Sequence, residues 1–401
     1  MTGDRPTLLR PSEGAAAHRV TFIELFFDLV FVFAVTQLSH IVIDEPGWLS
    51  LLHTVVLTMV VWMVWVDTTW TLSWLDPERP PVSAMLFVLM ALGMLMAATI
   101  PHAFDTQALT FALALAAFQL INPVFTLFAF RRTRPAHAGN FARISVWSFV
   151  AGATWIVSAL VPSDARIWIW LAALLLMWIG PRAAFWVPFY GRSDVGTWDV
   201  TGEHMSERVS LFFIIALGES IVVTGTAFAG TGVTWLSGLA FLSAFVGTVL
   251  MFLLHFRHIQ RGGSDYISRA RERGMIAQVA YTYVPIVLVF GIVGASVADG
   301  LVVRDPARGP DAWVAGILCG SAALYVFGNA VFVRATGGPW LRLHLVGAAV
   351  LMVMVALFPV ASPLLLSWLV NLVLLAVVLG EARAIARKHE RRDESIGLLD
   401  G

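Results

Sequence analysis

Two carboxylates stand at the start of an otherwise apolar helix. In FIELFFDLVFVFAVTQLSH, residues 22–40, Glu24 and Asp28 are four apart, so on a helix they share one face about 6 Å from each other. An ionised acid near the centre of a bilayer costs about 2.5–3.5 kcal/mol on insertion scales, so each needs a cation, a proton or water. Two acids that close in low dielectric cannot easily both ionise unless a cation sits between them. Arg19, just before Glu24, or an arginine from another helix could supply it. The chemistry open to the pair is cation binding, proton relay, or a salt-bridge lock between helices.

A second cluster reads GEHMSERVSLFFIIALGES, residues 202–220. His204, Glu207 and Arg208 fall at i, i+3 and i+4. Glu219 follows Arg208 by eleven residues, three turns that return to the same face about 16 Å further along. That puts Glu219 near the bilayer midplane and beyond the reach of Arg208, so it must be neutral, hydrated or paired from another span. Gly218 beside it would admit a close neighbour. His204 with Glu207 is too small a set for a metal, and no metal or other cofactor is expected. Asp67, in WMVWVDTTW, joins the acids because it lies toward the same end of the fold as Glu24. His53, Gln119, Asn122, Gln278, Asn329, His344 and Asn371 each read alone as a satisfied helix contact.

The elements that must position these residues follow from composition. Of 401 residues, 58% are hydrophobic and 13% charged, with a mean hydropathy of +0.80; soluble domains carry about 25% charged residues. The expectation is an all-α polytopic membrane protein. Runs of about 20 apolar residues place twelve spans near 21–43, 48–72, 82–100, 106–130, 143–161, 165–189, 208–229, 233–257, 275–299, 311–333, 340–360 and 363–386. DEPG, DPERPP and RDPARGPD interrupt them as loops. No signal peptide is expected at the N-terminus, which lacks an apolar stretch before a small-residue cleavage site.

Lys and Arg alternate between the two sets of connections. Arg5, Arg10 and Arg19, then Arg131 to Arg143, then Arg257 to Arg273, then Arg383 to Arg392 mark one side, while the other offers Arg166, Arg304 and Arg308. Both termini are therefore expected in the cytoplasm, in a multi-pass protein of the cell (inner) membrane. A net charge of +0 gives no reason to expect a nucleic-acid partner, and Cys319 alone excludes a disulfide framework. Expected partners are the lipid bilayer, a small molecule or cation, and a second copy of the chain.

Six spans on each side of the middle, about 190 residues apart, suggest two parallel six-helix repeats. Each half opens with an arginine, an aromatic pair and an embedded acid: Arg19, Phe26, Phe27 and Asp28, then Arg208, Phe212, Phe213 and Glu219. The expected organisation is an N-terminal segment 1–20, a first half 21–189, a connector 190–207, a second half 208–386 and a tail 387–401.

RVTFIELFFDLVFVFAVTQLSH, residues 19–40, together with HMSERVSLFFIIALGESIV, residues 204–222, resembles the bacterial low temperature requirement A proteins. The resemblance spans essentially the whole chain. It implies the polytopic helical fold more readily than an activity, and its matching positions are Glu24, Phe27, Asp28, His204, Glu207, Arg208, Gly218 and Glu219. LLHFRH, residues 253–258, departs from it, since His255 and Arg257 stand where an aromatic segment ending in an acid is expected. Arg19, Phe27 and Asp28 are also similar to the opening of each repeat in two-repeat endolysosomal potassium channels, without the serine that precedes the acid there. That likeness implies a potassium pore.

The expected function is a channel or proton-coupled transporter whose pathway draws on Glu24, Asp28, Asp67, His204, Glu207, Arg208 and Glu219. The alternative is a membrane-embedded enzyme of specialised metabolism that uses the same acids as general acid or base. No nucleophile motif or phosphate-cradling glycine loop stands out.

Overall fold

The computed structural model describes residues 7–10, 20–194, 202–259 and 278–397. Arg5, Arg19, Arg261, Arg269, Arg271 and Arg273 lie outside the described residues. The fold is all-α: α1 (Phe22–Asp44), α2 (Trp48–Leu72), α3 (Pro80–Thr99), α4 (Ala108–Phe130), α5 (Pro135–Ala159), α6 (Ser163–Arg182), α7 (Gly202–Gly230), α8 (Trp235–Ile259), α9 (Pro285–Arg304), α10 (Ala312–Ala335), α11 (Arg342–Met354) and α12 (Pro363–Gly397). A π-helical turn, Val279–Tyr283, precedes α9.

Local chemistry explains where several helices begin. Thr21 and Glu24 form a capping box on α1, satisfying amides that the first turn leaves without carbonyl partners. Prolines occupy the first positions of α3 and α5, where a missing N–H costs nothing. Asp311 caps α10 by accepting from the amides of Trp313 and Val314 at 2.9 and 3.2 Å. Burial pushes its carboxyl up, but the Val314 amide, the Arg308 guanidinium and the Trp313 amide outweigh it and hold the acid below its ordinary value.

Among the described residues, eleven helices are long and apolar enough to cross a membrane, and Arg342–Leu357 is a shorter apolar segment. Large apolar side chains face outward along them, among them Phe26, Phe87, Met94, Phe149 and Leu175. Such a surface belongs in a lipid bilayer. Boundaries shift where polar residues lie inside helices. The fifth span, expected from 143, starts at Pro135, and the seventh, expected from 208, starts at Gly202. The sixth, expected to reach 189, ends at Arg182.

The chain packs as two compact units. One comprises the described residues up to Ala216 together with 278–286, and the other comprises Leu217–Ile259 and the residues from Val287 onward. In the first, α1, α3 and α4 pack closely: the rings of Phe27 and Phe31 lie 5.0 Å apart and each is within 6.4 Å of Phe118, while Gly93 of α3 leaves only 3.1 Å for a Cβ beside Val30. In the second, α9 and α10 approach at Gly291 and Gly294, where an added Cβ would meet Tyr325 and Ser321 at 2.7 Å. Small residues at such a crossing let helices gain dispersion contacts in a solvent that offers no hydrophobic drive for association.

Gly291→Ala should therefore cost about 1–3 kcal/mol through overpacking. Gly316→Ala is the control, because nothing lies within 4 Å of that position. Melting of the two purified variants in detergent should show a lower midpoint for the first alone.

Candidate functional site

The acids of α1 lie inside a charge network within the first unit, and both are fully buried. Glu24 Oε2 accepts from Arg10 Nη2 at 2.8 Å and from the amide and hydroxyl of Thr21 at 2.8 and 3.0 Å. Its Oε1 lies 2.9 Å from His204 Nε2. Arg10 is held there from two sides: its Nε donates to the carbonyl of Leu72 at 2.7 Å and its amide to that of Trp74 at 2.9 Å. His204 Nδ1 lies 3.3 Å from the Ser73 hydroxyl, so α7 is tied to the end of α2 as well as to α1.

One turn deeper, Asp28 Oδ1 accepts from Arg208 Nη2 at 2.7 Å and from the indole of Trp65 at 2.8 Å. The guanidinium of Arg208 also stands over the Trp65 ring, 5.6 Å from its centroid. The spacing of four between the acids matches the spacing of four between His204 and Arg208, so two stretches 180 residues apart close in register. Glu24 takes its arginine from the N-terminal segment, and the arginine of Asp28 comes from another helix. Charge-assisted hydrogen bonds of this kind are the strong ones, and removing one partner leaves a buried charge uncompensated.

Asp67 is set differently. Every residue from Val60 to Leu72 is buried except Asp67, which is exposed, and it lines a cavity with an empty volume of about 810 Å³, open surroundings included. Val64, Asp67 and Thr71 lie at i, i+3 and i+7 on α2, with Trp74 just past its end; Phe118, Gln119, Asn122 and Pro123 come from α4; His137, Asn140, Phe141 and Ile144 from α5; Pro181 from α6; and Thr282 from the π-helical turn, with Gln278 just before it. Thr282 pins that turn to α2, its carbonyl accepting from the Trp62 indole at 2.6 Å and its hydroxyl from the Trp70 indole at 2.9 Å. Phe185 completes the wall from a left-handed turn after α6, with φ 50° at Ala184 and 47° at Phe185. Conformations like these cost about 1–3 kcal/mol each and persist where packing holds them.

Three of the polar groups in this cavity are open acceptors. Asp67 makes no ion pair or side-chain hydrogen bond among the described residues. Asn122 and Gln119 are buried, and the carbonyl oxygens of both side chains lack a hydrogen-bond partner among the described residues. Pro123 has no N–H, so the main-chain carbonyl of Gln119 loses its helical partner at the same level. Among the described residues, no Lys or Arg lines the cavity.

The other candidates scatter. Glu207 is exposed, and Glu219 is buried in the part of α7 that belongs to the second unit. In that unit His255 lies 2.8 Å from Asn329, Asn371 donates to the carbonyl of Ser243 at 2.8 Å, and His344 lies 2.6 Å from Glu381. His53, in the first unit, stacks on Phe104 with ring centroids 3.7 Å apart. Four residues were not among those singled out from sequence as site candidates. Arg10 looked like a topology signal. Asp299, placed at the very end of a span, lies well inside α9 and lines a second cavity with Ser243, Ser321, Ser367 and Asn371. His137 and Asn140 fell outside the fifth span because Pro135 and three arginines precede them; the i, i+3, i+4, i+7 stripe from His137 through Ile144 was the available signal.

Comparison with known proteins places these features in context. A family model described as bacterial low temperature requirement A protein matches residues 19–379, a range that holds both acid-bearing motifs and most of the cavity wall. The chain is also 34% identical over 378 residues to an uncharacterized protein of Rhizobium meliloti (strain 1021), covering 93% of this chain and 91% of that one. No solved structure matches.

The two kinds of acid should respond oppositely to neutralisation. Asp28→Asn leaves Arg208 buried without its counter-charge and should destabilise the protein by about 3–5 kcal/mol. The double replacement Asp28→Leu with Arg208→Met should recover most of that loss. Asp67→Asn should leave the melting temperature unchanged or raise it, since no ion pair is broken. Thermal unfolding of the detergent-purified variants, followed by circular dichroism, checks all three.

Proposed function

This chain belongs to the bacterial low temperature requirement A family, and from that premise we propose that it is a permeation protein of the cell membrane, a channel or proton-coupled transporter, whose working acid in the first unit is Asp67. The observation that carries this reading is an exposed carboxylate without an ion-pair partner, held inside a cavity of a membrane-spanning unit. Acids at such depth are costly, so they mark ion, proton or solute pathways more often than packing. Glu24, Asp28, His204 and Arg208 then serve as the fastening that joins α1, α2 and α7. Their full burial and mutual pairing support that role, because a permeant species would need to displace strong charge-assisted bonds. Asp299 is the corresponding acid of the second unit in this reading, with hydroxyl groups around it suited to a proton or a small cation. The basic connections orient the chain with both termini in the cytoplasm.

The enzyme reading has one observation in its favour: His137 and Asp67 line the same cavity, and an imidazole with a carboxylate is a general acid–base pair. Proteoliposomes separate the two. Vesicles carrying the wild-type protein should take up radiolabelled methylammonium or rubidium faster than protein-free vesicles, and Asp67→Asn should reduce the rate at least tenfold. Uptake of neither ion above protein-free vesicles, or equal uptake by the variant, overturns the permeation reading.

A further inference from the structure

We propose that the cavity of the first unit binds a primary organic ammonium, a protonated amine on a short apolar body. This names the solute class of the site proposed above and rests on that reading only for what the binding accomplishes.

The charge balance comes first. Asp67 brings a carboxylate, and among the described residues no Lys or Arg lines the wall to answer it. An anionic guest would meet that carboxylate with nothing to offset it. A neutral guest would leave it facing an apolar wall, where an ion is poorly solvated. A cation of single charge completes the site.

Hydrogen bonding then narrows the cation. The acceptors here include the Asp67 carboxylate and the side-chain carbonyls of Gln119 and Asn122, the two amides being buried with those oxygens unpartnered among the described residues. Buried acceptors left this way cost free energy, so their presence around one cavity points to a donor supplied by the guest. A primary ammonium carries three N–H donors and no acceptor, so one such group can serve Asp67, Gln119 and Asn122 together. Quaternary ammonium has no donor to give, and a guanidinium's planar fork suits carboxylates better than dispersed amides.

The remaining wall decides what the ammonium is attached to. Trp70, Trp74, Phe118 and Phe141 line the cavity with Val64 and Ile144. Aromatic faces attract a cation through the ring quadrupole, by about 0.5–2 kcal/mol, more when desolvated. An inorganic ion such as potassium or rubidium would need oxygen ligands on all sides, and these walls offer carbon on most of them. An alkyl or aryl group on the amine fits the same walls by burying apolar surface.

The test uses full-length protein purified in detergent, with phenethylammonium as the probe, 2-phenylethanol as its uncharged counterpart and rubidium as the inorganic cation. Calorimetric titration should show phenethylammonium binding at least tenfold more tightly than 2-phenylethanol, with no saturable rubidium binding that competes. Asp67→Asn should weaken the ammonium at least tenfold and leave the alcohol unchanged. Asn122→Leu, which leaves the charge in place, should weaken the ammonium several-fold and gives an independent reading if the first variant fails to fold. Equal binding of alcohol and ammonium, rubidium binding in place of the ammonium, or undiminished ammonium binding by Asp67→Asn or Asn122→Leu overturns the proposal. Binding without uptake into proteoliposomes supports this inference while overturning permeation. Asp67-dependent rubidium uptake without ammonium binding does the reverse.

Discussion

A carboxylate placed in an apolar helix obliges the fold to bring it a counter-charge, and the first unit is organised around that obligation. Glu24 draws Arg10 and His204 to the start of α1, and Asp28 draws Arg208 and the Trp65 indole one turn deeper. Four segments distant in sequence are joined by these contacts: the N-terminal segment, α1, α2 and α7. In a bilayer, where helix association gains nothing from expelling water, such polar ties carry specificity that an apolar interface lacks. They fix the rotation of α1 and α7 about their axes, because a turn of either helix would leave a charge facing hydrocarbon.

With those helices fixed, α2 presents its opposite duty. The run from Val60 to Leu72 buries every side chain but one. Trp62, Trp65 and Trp70 spend their indole N–H groups on Thr282 and Asp28, which holds α2 against both its neighbours and leaves Asp67 directed into open space. Gln278, just before the π-helical turn that supplies Thr282, lines the same cavity. Turns of this kind widen a helix by one residue and recur at functional sites.

The fold was legible from hydropathy because a span must be long and apolar, and nothing else in this chain meets that condition so often. The pairing of Glu24 and Asp28 with cations was also foreseeable, since the cost of leaving them bare is large. The identity of the cations was not. Arg10 lies fourteen residues before Glu24 in a segment rich in other arginines, and only the tertiary fold brings it to that acid. The stretches around Glu24 and Asp28 and around His204 and Arg208 together carry the family resemblance, and the structure adds that they bind each other. Asp67 carried no signal beyond its depth. Its cavity takes polar residues from the first two turns of α5, which hydropathy assigns to a loop, and Phe185 from a left-handed turn that no periodicity predicts. Asp299 was hidden for a simpler reason: a span boundary drawn five residues short made an acid inside α9 look terminal.

The central claim is that the acids of the first unit fall into two kinds, locked and open. Labelling with a hydrophobic carbodiimide in native membranes, read by peptide mass spectrometry, addresses it directly, because the reagent needs a carboxyl that a small molecule can reach. The account predicts modification at Asp67, slowed by phenethylammonium, with Glu24 and Asp28 unmodified. Modification of Glu24 or Asp28 ahead of Asp67, or an Asp67 that stays untouched, would contradict it.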